Sequence, residues 1–93
     1  MSKKLFDENS ENRITPDFLK NQITDISYNV LNKKMTHCTI TTKNEFTFTG
    51  EAVCVDIRNY DKEIGEKISY DNAFDEMWPC YGFALAQHIY ESK

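Results

Sequence analysis

The residues best suited to chemistry in this sequence form a short run, Arg58-Asn59-Tyr60, at the start of a predicted helix. The guanidinium of Arg58 can hold a phosphate through two parallel hydrogen bonds. Unpaired backbone N–H groups at the start of a helix favour the same negative charge. In the structural alternative, Arg58 is solvated, Asn59 caps the helix and Tyr60 lies in the core. The run is therefore a candidate ligand-binding site, and both interpretations remain open.

Two aromatic residues and one further cation complete the candidate site. The rings of Trp78 and Phe83 could stack on a nucleotide base, and Arg13 could contact another anionic group. Aromatic side chains more often fill the core of a small domain, so this alternative also stays open. The predicted ligand-binding residues are Arg58, Asn59, Tyr60, Trp78, Phe83 and Arg13.

Histidine and cysteine are too scattered to predict a metal centre or a nucleophile. The chain has two histidines and three cysteines, and none of them has the Cys-x-x-Cys or His-x-x-x-His spacing that brings ligands together. Cys38 and Cys54 fall on the apolar face of predicted strands, where a thiolate is disfavoured. The carboxylates from Glu63 to Glu76 are interspersed with lysines, as on a solvated helix face. The sequence thus predicts no catalytic residue, no metal, no cofactor and no enzymatic activity.

The composition limits the classes of partner. The chain has 93 residues, 40% of them hydrophobic, which suffices for one small domain, and its formal net charge is −4. That charge disfavours duplex DNA and anionic membranes as partners. No run of about 18 apolar residues predicts a membrane span. With three cysteines and no signal-peptide pattern behind Met1, we expect a reduced protein in the cytoplasm.

The periodicity predicts one domain over residues 13–93, preceded by a flexible tail over residues 1–12. Thr15 can cap a short helix that begins at Pro16 and ends near Gln22. Three stretches with a period of two then predict three antiparallel strands joined as a meander. If Thr42 pairs with Phe46, one apolar face is continuous across the second and third strands.

Two helices are predicted after the strands. The first carries a broad apolar stripe that includes Ile64 and Ile68, and we expect it to end or kink at Trp78, before Pro79. The second covers residues 81–90. The predicted fold class is α+β, a three-stranded antiparallel meander with helices packed on one face and a short N-terminal helix. The opposite sheet face is rich in threonine, and a domain this small gains stability from self-association, so we expect a homo-oligomer.

Several motifs of this chain resemble those of the phage N4 Gp49 and Sf6 gene 66 family of small phage proteins. The resemblance covers residues 24 to 90, with Ala52 and Pro79-Cys80 as departures from the family pattern. The matching motifs are Thr36-x-Cys38, Asn44-x-Phe46-Thr47-x-Thr49-Gly50-Glu51, Ala52-Val53-Cys54-Val55-Asp56, Asn59-Tyr60-Asp61-x-Glu63-Ile64-Gly65-x-Lys67-Ile68, Ala73, Trp78 and Gly82-Phe83.

This resemblance implies a phage or prophage origin and therefore the cytoplasm of a bacterial host. The family also looks similar to the Thoeris anti-defence proteins of phages. Those are small oligomers that bind a cyclic ADP-ribose signal made by host TIR enzymes, and sometimes cyclic oligonucleotides, without cleaving it. The implied function is sequestration of a cyclic ADP-ribose-like or cyclic nucleotide signal, with no ligand residue carried over position by position. The alternative is an acidic phage module that docks on a host protein.

Overall fold

The computed structural model describes residues 5–6 and 12–93, and in those residues helices and strands follow the predicted order. The predicted tail over residues 1–12 lies largely outside the described residues. Leu5, Phe6 and Asn12 are described, and of these Phe6 is buried and stacks on Phe18 at 5.3 Å between ring centroids. The elements are α1 (Pro16–Gln22), β1 (Ile23–Leu31), β2 (Met35–Thr42), β3 (Thr47–Val53), a 3-10 turn (Ile57–Asn59), α2 (Lys62–Asp75) and α3 (Met77–Glu91).

Helix α1 begins as the sequence predicts. The side chain of Thr15 accepts a hydrogen bond from the Phe18 amide at 3.1 Å, and Pro16 opens the helix without losing a bonded N–H. The helix ends at Gln22, where Ile23 adopts an extended conformation and starts β1. A seven-residue helix is too short to be stable alone, so α1 depends on the burial of Leu19.

The sheet is an antiparallel meander in the order β1-β2-β3, as predicted. Asn32 and Lys33 have positive φ and form the tight turn between β1 and β2. In β2 every even-numbered residue from Thr36 to Thr42 is buried, and the odd-numbered residues are half-buried. The predicted pairing is confirmed, since Cys38 lies opposite Gly50 and Ile40 opposite Phe48. The even-numbered residues therefore form the face that the helices cover.

Helix α2 packs on this face through small residues. Its buried positions are Gly65, Ser69 and Ala73, whereas Ile64 and Ile68 are 57% and 45% exposed. The prediction that Ile64 and Ile68 face the core is therefore wrong. Small residues let the helix backbone approach the sheet closely, which leaves the larger aliphatic side chains at the flank of the contact.

The break between the two long helices lies earlier than predicted. Helix α2 ends at Asp75 and α3 begins at Met77, so Trp78 and Pro79 belong to the first turn of α3. A proline ring excludes the carbonyl four residues before it, and for Pro79 that carbonyl belongs to Asp75. The missing N–H costs nothing in a first helical turn, where amides have no intrahelical acceptor. Pro79 thus breaks the helix at Asp75 and Glu76 rather than at its own position.

The core lies between the sheet, α1, α2 and the start of α3. Its buried members come from every layer of the fold and are Leu19, Cys38, Ile40, Phe48, Ala73, Met77 and Tyr81. Among the described residues, no helix has the length and apolar character needed to cross a bilayer.

Candidate functional site

The predicted ligand-binding run Arg58-Asn59-Tyr60 lies between the N-caps of two successive helical elements. Asp56 caps the 3-10 turn, with its carboxylate accepting a hydrogen bond from the Arg58 amide at 2.9 Å. Asp61 caps α2 and accepts from the Ile64 amide at 3.2 Å. The expectation that Asn59 caps the helix is therefore wrong, because Asn59 belongs to the 3-10 turn and α2 begins only at Lys62.

The guanidinium of Arg58 is already paired. Its Nη2 lies 2.7 Å from Oδ2 of Asp56, and its Nε donates to both carboxylate oxygens at 3.2 Å. These side-chain hydrogen bonds, with the one from the Arg58 amide, hold the pKa of the Asp56 carboxyl below its ordinary value. The Arg58 side chain is 86% exposed, so it remains accessible to solvent. Its positive charge is locally balanced by Asp56.

Beside this pair lies a cavity of about 140 Å³ between β3, the following loop and the start of α2. Tyr60 forms part of its wall, and the Tyr60 hydroxyl lies 3.2 Å from Oγ1 of the buried Thr36. Lys34 contributes the one lysine of the wall, while Arg58 is not part of the lining. The lining residues are Lys34, Ala52, Val53, Cys54, Asn59, Tyr60, Asp61, Ile64, Gly65 and Ile68. We call this the Tyr60 pocket.

The structure does not gather the six predicted ligand residues into one site. Asn59 and Tyr60 share the Tyr60 pocket, and Arg58 stands next to it. Trp78 is half-buried at the start of α3, edge-on to Phe74 with ring centroids 6.3 Å apart. Phe83 is 73% exposed farther along α3. Arg13 is exposed and precedes α1.

The comparison with protein families supplies the decisive observation for identity. The family described as phage protein (N4 Gp49/phage Sf6 gene 66) matches residues 14–89. This chain belongs to that family. No curated protein and no solved structure matches the chain.

The motif residues of this phage protein hold the fold together. The side-chain oxygen of Asn44 closes the β2–β3 turn by accepting from the Phe46 amide at 3.1 Å and from the Thr42 hydroxyl at 2.7 Å. Gly65 lies against the side chain of Thr36, and Gly50 lies against the backbone of α2. The side chain that comes closest to Gly65 is therefore that of Thr36 on the neighbouring sheet. The motifs specify the contact between helix and sheet.

Sequence reasoning missed an aromatic cleft between β3 and α3. It has a volume of about 210 Å³. Phe46 is 58% exposed and meets Phe48 edge-on at 5.1 Å, with Tyr81 and the exposed Cys80 on the facing helix. The available signal was the spacing of Phe46 and Phe48, which predicts that both rings lie on one face of the third strand, although in the structure β3 begins only at Thr47.

The charged side chains of α2 are arranged as on a solvated helix face. Within residues 5–6 and 12–93, no group of three or more His, Cys, Asp or Glu residues could hold a metal ion. On α2, Lys67 pairs with Asp71 at 2.9 Å, one turn away. Burial raises the pKa of the Cys38 thiol, which keeps it protonated and a poor nucleophile.

Replacing Gly65 with alanine tests how tightly the Tyr60 pocket is packed. A Cβ at this position would meet Oγ1 of Thr36, the atom that lies within hydrogen-bonding distance of the Tyr60 hydroxyl. We expect Gly65→Ala to lower the free energy of unfolding by about 1–2 kcal/mol, despite the gain of about 1 kcal/mol in helix propensity. Urea denaturation measures the change. With Thr36→Ala in the background, the cost of Gly65→Ala should disappear, and strict additivity of the two substitutions would contradict this contact.

Proposed function

We propose that this phage protein is a non-enzymatic antagonist of host defence that binds and sequesters a cyclic ADP-ribose-like or cyclic nucleotide signal. The observation that carries the proposal is the Tyr60 pocket. Its lining includes the residues Tyr60, Asn59 and Lys34, with the exposed guanidinium of Arg58 beside it. A ring, an amide and cations are the groups that recognise a base and its phosphates.

The volume of the Tyr60 pocket limits how much of a ligand it can hold. At about 140 Å³ it is smaller than the 300–1,000 Å³ of typical small-molecule sites. The Tyr60 pocket can therefore enclose only a part of a cyclic nucleotide, such as a ribose or a single phosphate. The rest of the ligand must be held outside this pocket, by the exposed guanidinium of Arg58 or by a second copy of the chain.

Calorimetry with the purified protein tests this function directly. Cyclic ADP-ribose and cyclic dinucleotides are titrated into a sample that circular dichroism shows to be folded. Saturable binding, followed by recovery of intact ligand after denaturation, is the expected result. Absence of binding rejects the proposed function, and recovery of cleaved ligand would replace sequestration with hydrolysis.

Two adjacent lysines provide a matched pair of variants for the same titration. Lys34 lines the Tyr60 pocket, whereas Lys33 is exposed in the turn and is not part of the lining. We expect Lys34→Ala to weaken binding by about 1–3 kcal/mol, the range for hydrogen bonds to charged groups, and Lys33→Ala to leave it unchanged. Arg58→Ala should cost less than Lys34→Ala because Asp56 already balances its charge. Equal effects of Lys33→Ala and Lys34→Ala would show that only net charge matters.

A second candidate function is a protein-interaction module. It is favoured by the threonine-rich sheet face, which α2 and α3 leave open: Thr47, Thr49 and Glu51 of β3 are all exposed on it. Pull-down from host lysate at physiological salt, with Thr49→Arg as the blocked control, distinguishes this function. A host protein retained by the wild type and lost with Thr49→Arg would support it, and retention of nothing specific would reject it.

A further inference from the structure

Among residues 5–6 and 12–93, no strand pairs with the outer backbone edge of β1. The Thr42 amide donates to the Phe46 carbonyl at 3.0 Å, and the Cys54 amide donates to the Lys34 carbonyl at 2.9 Å. The even-numbered residues of β2 therefore bond to β3, and its odd-numbered residues bond to β1. In the register of the β1–β2 pair, the odd-numbered residues of β1 face β2. The N–H and C=O groups of Ile26, Tyr28 and Val30 consequently point outward along the free edge.

This edge lacks the features that keep strand edges from pairing. From Asp25 to Leu31 the strand has no proline and no lysine, and Asp25 is its sole charged residue. Ile26 and Val30 lie on the helix-covered face, but α2 packs on β2 and β3, so their side chains stay 40% and 50% exposed. The pattern leaves apolar side chains beside unpaired backbone groups.

The opposite edge, on β3, is partly blocked. The Glu51 carbonyl points outward from that strand and accepts a hydrogen bond from the Asn72 side chain of α2 at 2.8 Å. The Glu51 side chain also places a charge in the middle of that edge. Of the two edges of the sheet, β1 is the one open to another strand.

A β-bulge at Thr24 ends the regular part of the free edge and thereby determines which residue lies at its middle. Ile23 pairs with Thr42 while Asp25 pairs with Thr41, so Thr24 is an extra residue that interrupts the regular ladder. The regular stretch runs over residues 25–31, and Tyr28 is its middle residue. A two-fold axis at Tyr28 would pair all seven positions of this stretch with those of a second copy.

We propose that the protein forms a two-fold symmetric dimer in which the β1 strands of two copies pair antiparallel about Tyr28. Ile26 of each copy then lies opposite Val30 of the other, and Asp25 lies opposite Leu31, so no like charges meet. The two sheets join into one six-stranded sheet with both α2 helices on the same face.

The oligomeric state tests the dimer, and charge placement tests its register. Sedimentation velocity of the wild type should give twice the 10.9 kDa mass of the chain. The double variant Ile26→Lys with Val30→Lys places like charges opposite each other at both ends and should sediment as a monomer. Ile26→Lys with Val30→Glu places opposite charges there and should remain dimeric. Val53→Lys, at an exposed valine of the β3 edge, is the matched control and should leave the dimer intact.

Amide hydrogen exchange of the wild type gives a second measurement that needs no variant. The outward amides of Ile26, Tyr28 and Val30 would exchange rapidly in a monomer, and in the proposed dimer they are protected. A monomeric wild type, or rapid exchange at these three amides in a dimer, overturns the proposal. If both double variants are monomeric although folded, the Tyr28-centred register is wrong. Dissociation by Val53→Lys, with both β1 double variants still dimeric, would assign the interface to β3 and also overturn it.

Discussion

Replacing Gly50 with alanine is expected to lower the free energy of unfolding by about 3 kcal/mol. The Cβ of the new side chain would overlap the backbone nitrogen of Ala73 and the carbonyl oxygen of Ser69, and it would lie 2.8 Å from the carbonyl carbon of Asn72. These are atoms of the α2 backbone, so no side-chain rotation can relieve the overlap. The helix must move away from β3, and the packing of Ala73 and Met77 in the core is lost with it.

A second glycine serves as the control for this substitution. A Cβ at Gly82, inside α3, would meet nothing within 4 Å. Gly82→Ala should therefore raise the free energy of unfolding by up to about 1 kcal/mol, through helix propensity and a less flexible unfolded chain. Urea denaturation of both variants measures the contrast. Similar values for the two would show that α2 does not approach β3 as closely as the structure indicates.

The contact at Gly50 illustrates why the sheet could be predicted from the sequence and the packing of α2 on the sheet could not. The alternation of apolar and polar residues and the Lys43–Glu45 turn set the pairing of β2 with β3, and the structure confirms that pairing. A helical stripe drawn by hydrophobicity gives large residues the greatest weight and therefore selects Ile64 and Ile68. The actual contact is made by Gly65, Ser69 and Ala73, which such a pattern scores as weak. Close packing depends on the space that side chains leave empty, and this is not a property of hydropathy.

The candidate site could likewise be predicted only in part. The sequence places Asn59 and Tyr60 side by side, and the structure brings both to one pocket. The pairing of Asp56 with Arg58 depends on the 3-10 turn that begins directly after Asp56, and no periodicity signals such a turn. Trp78 and Phe83 belong to the predicted site because aromatic rings can stack on a nucleotide base. Their positions depend on the break at Asp75, which a proline four residues downstream imposes.

Two isoleucines that are neighbours on adjacent strands allow the contribution of the core to stability to be compared with that of the open edge. Ile40 on β2 pairs directly with Ile26 on β1, and they are 0% and 40% exposed. We expect Ile40→Ala to lower the free energy of unfolding by about 3–4 kcal/mol, because the buried side chain leaves a cavity. Ile26→Ala should cost about 1 kcal/mol in the single chain, since solvent already reaches it. Thermal or urea denaturation gives both values.

The dependence of stability on protein concentration in these two variants tests whether Ile26 or Ile40 contributes to the dimer. A dimer gains stability as the protein concentration rises, because unfolding releases two chains. If β1 pairs with a second copy about Tyr28, Ile26 is covered by Val30 of the other chain, so Ile26→Ala should raise the dissociation constant of the dimer and shift the gain in stability to higher protein concentration. Ile40→Ala removes a contact within each chain and should leave this dissociation constant unchanged. Equal dissociation constants for Ile26→Ala and the wild type would mean that Ile26 stays exposed, and the free edge of β1 would then be a surface that the protein leaves to solvent.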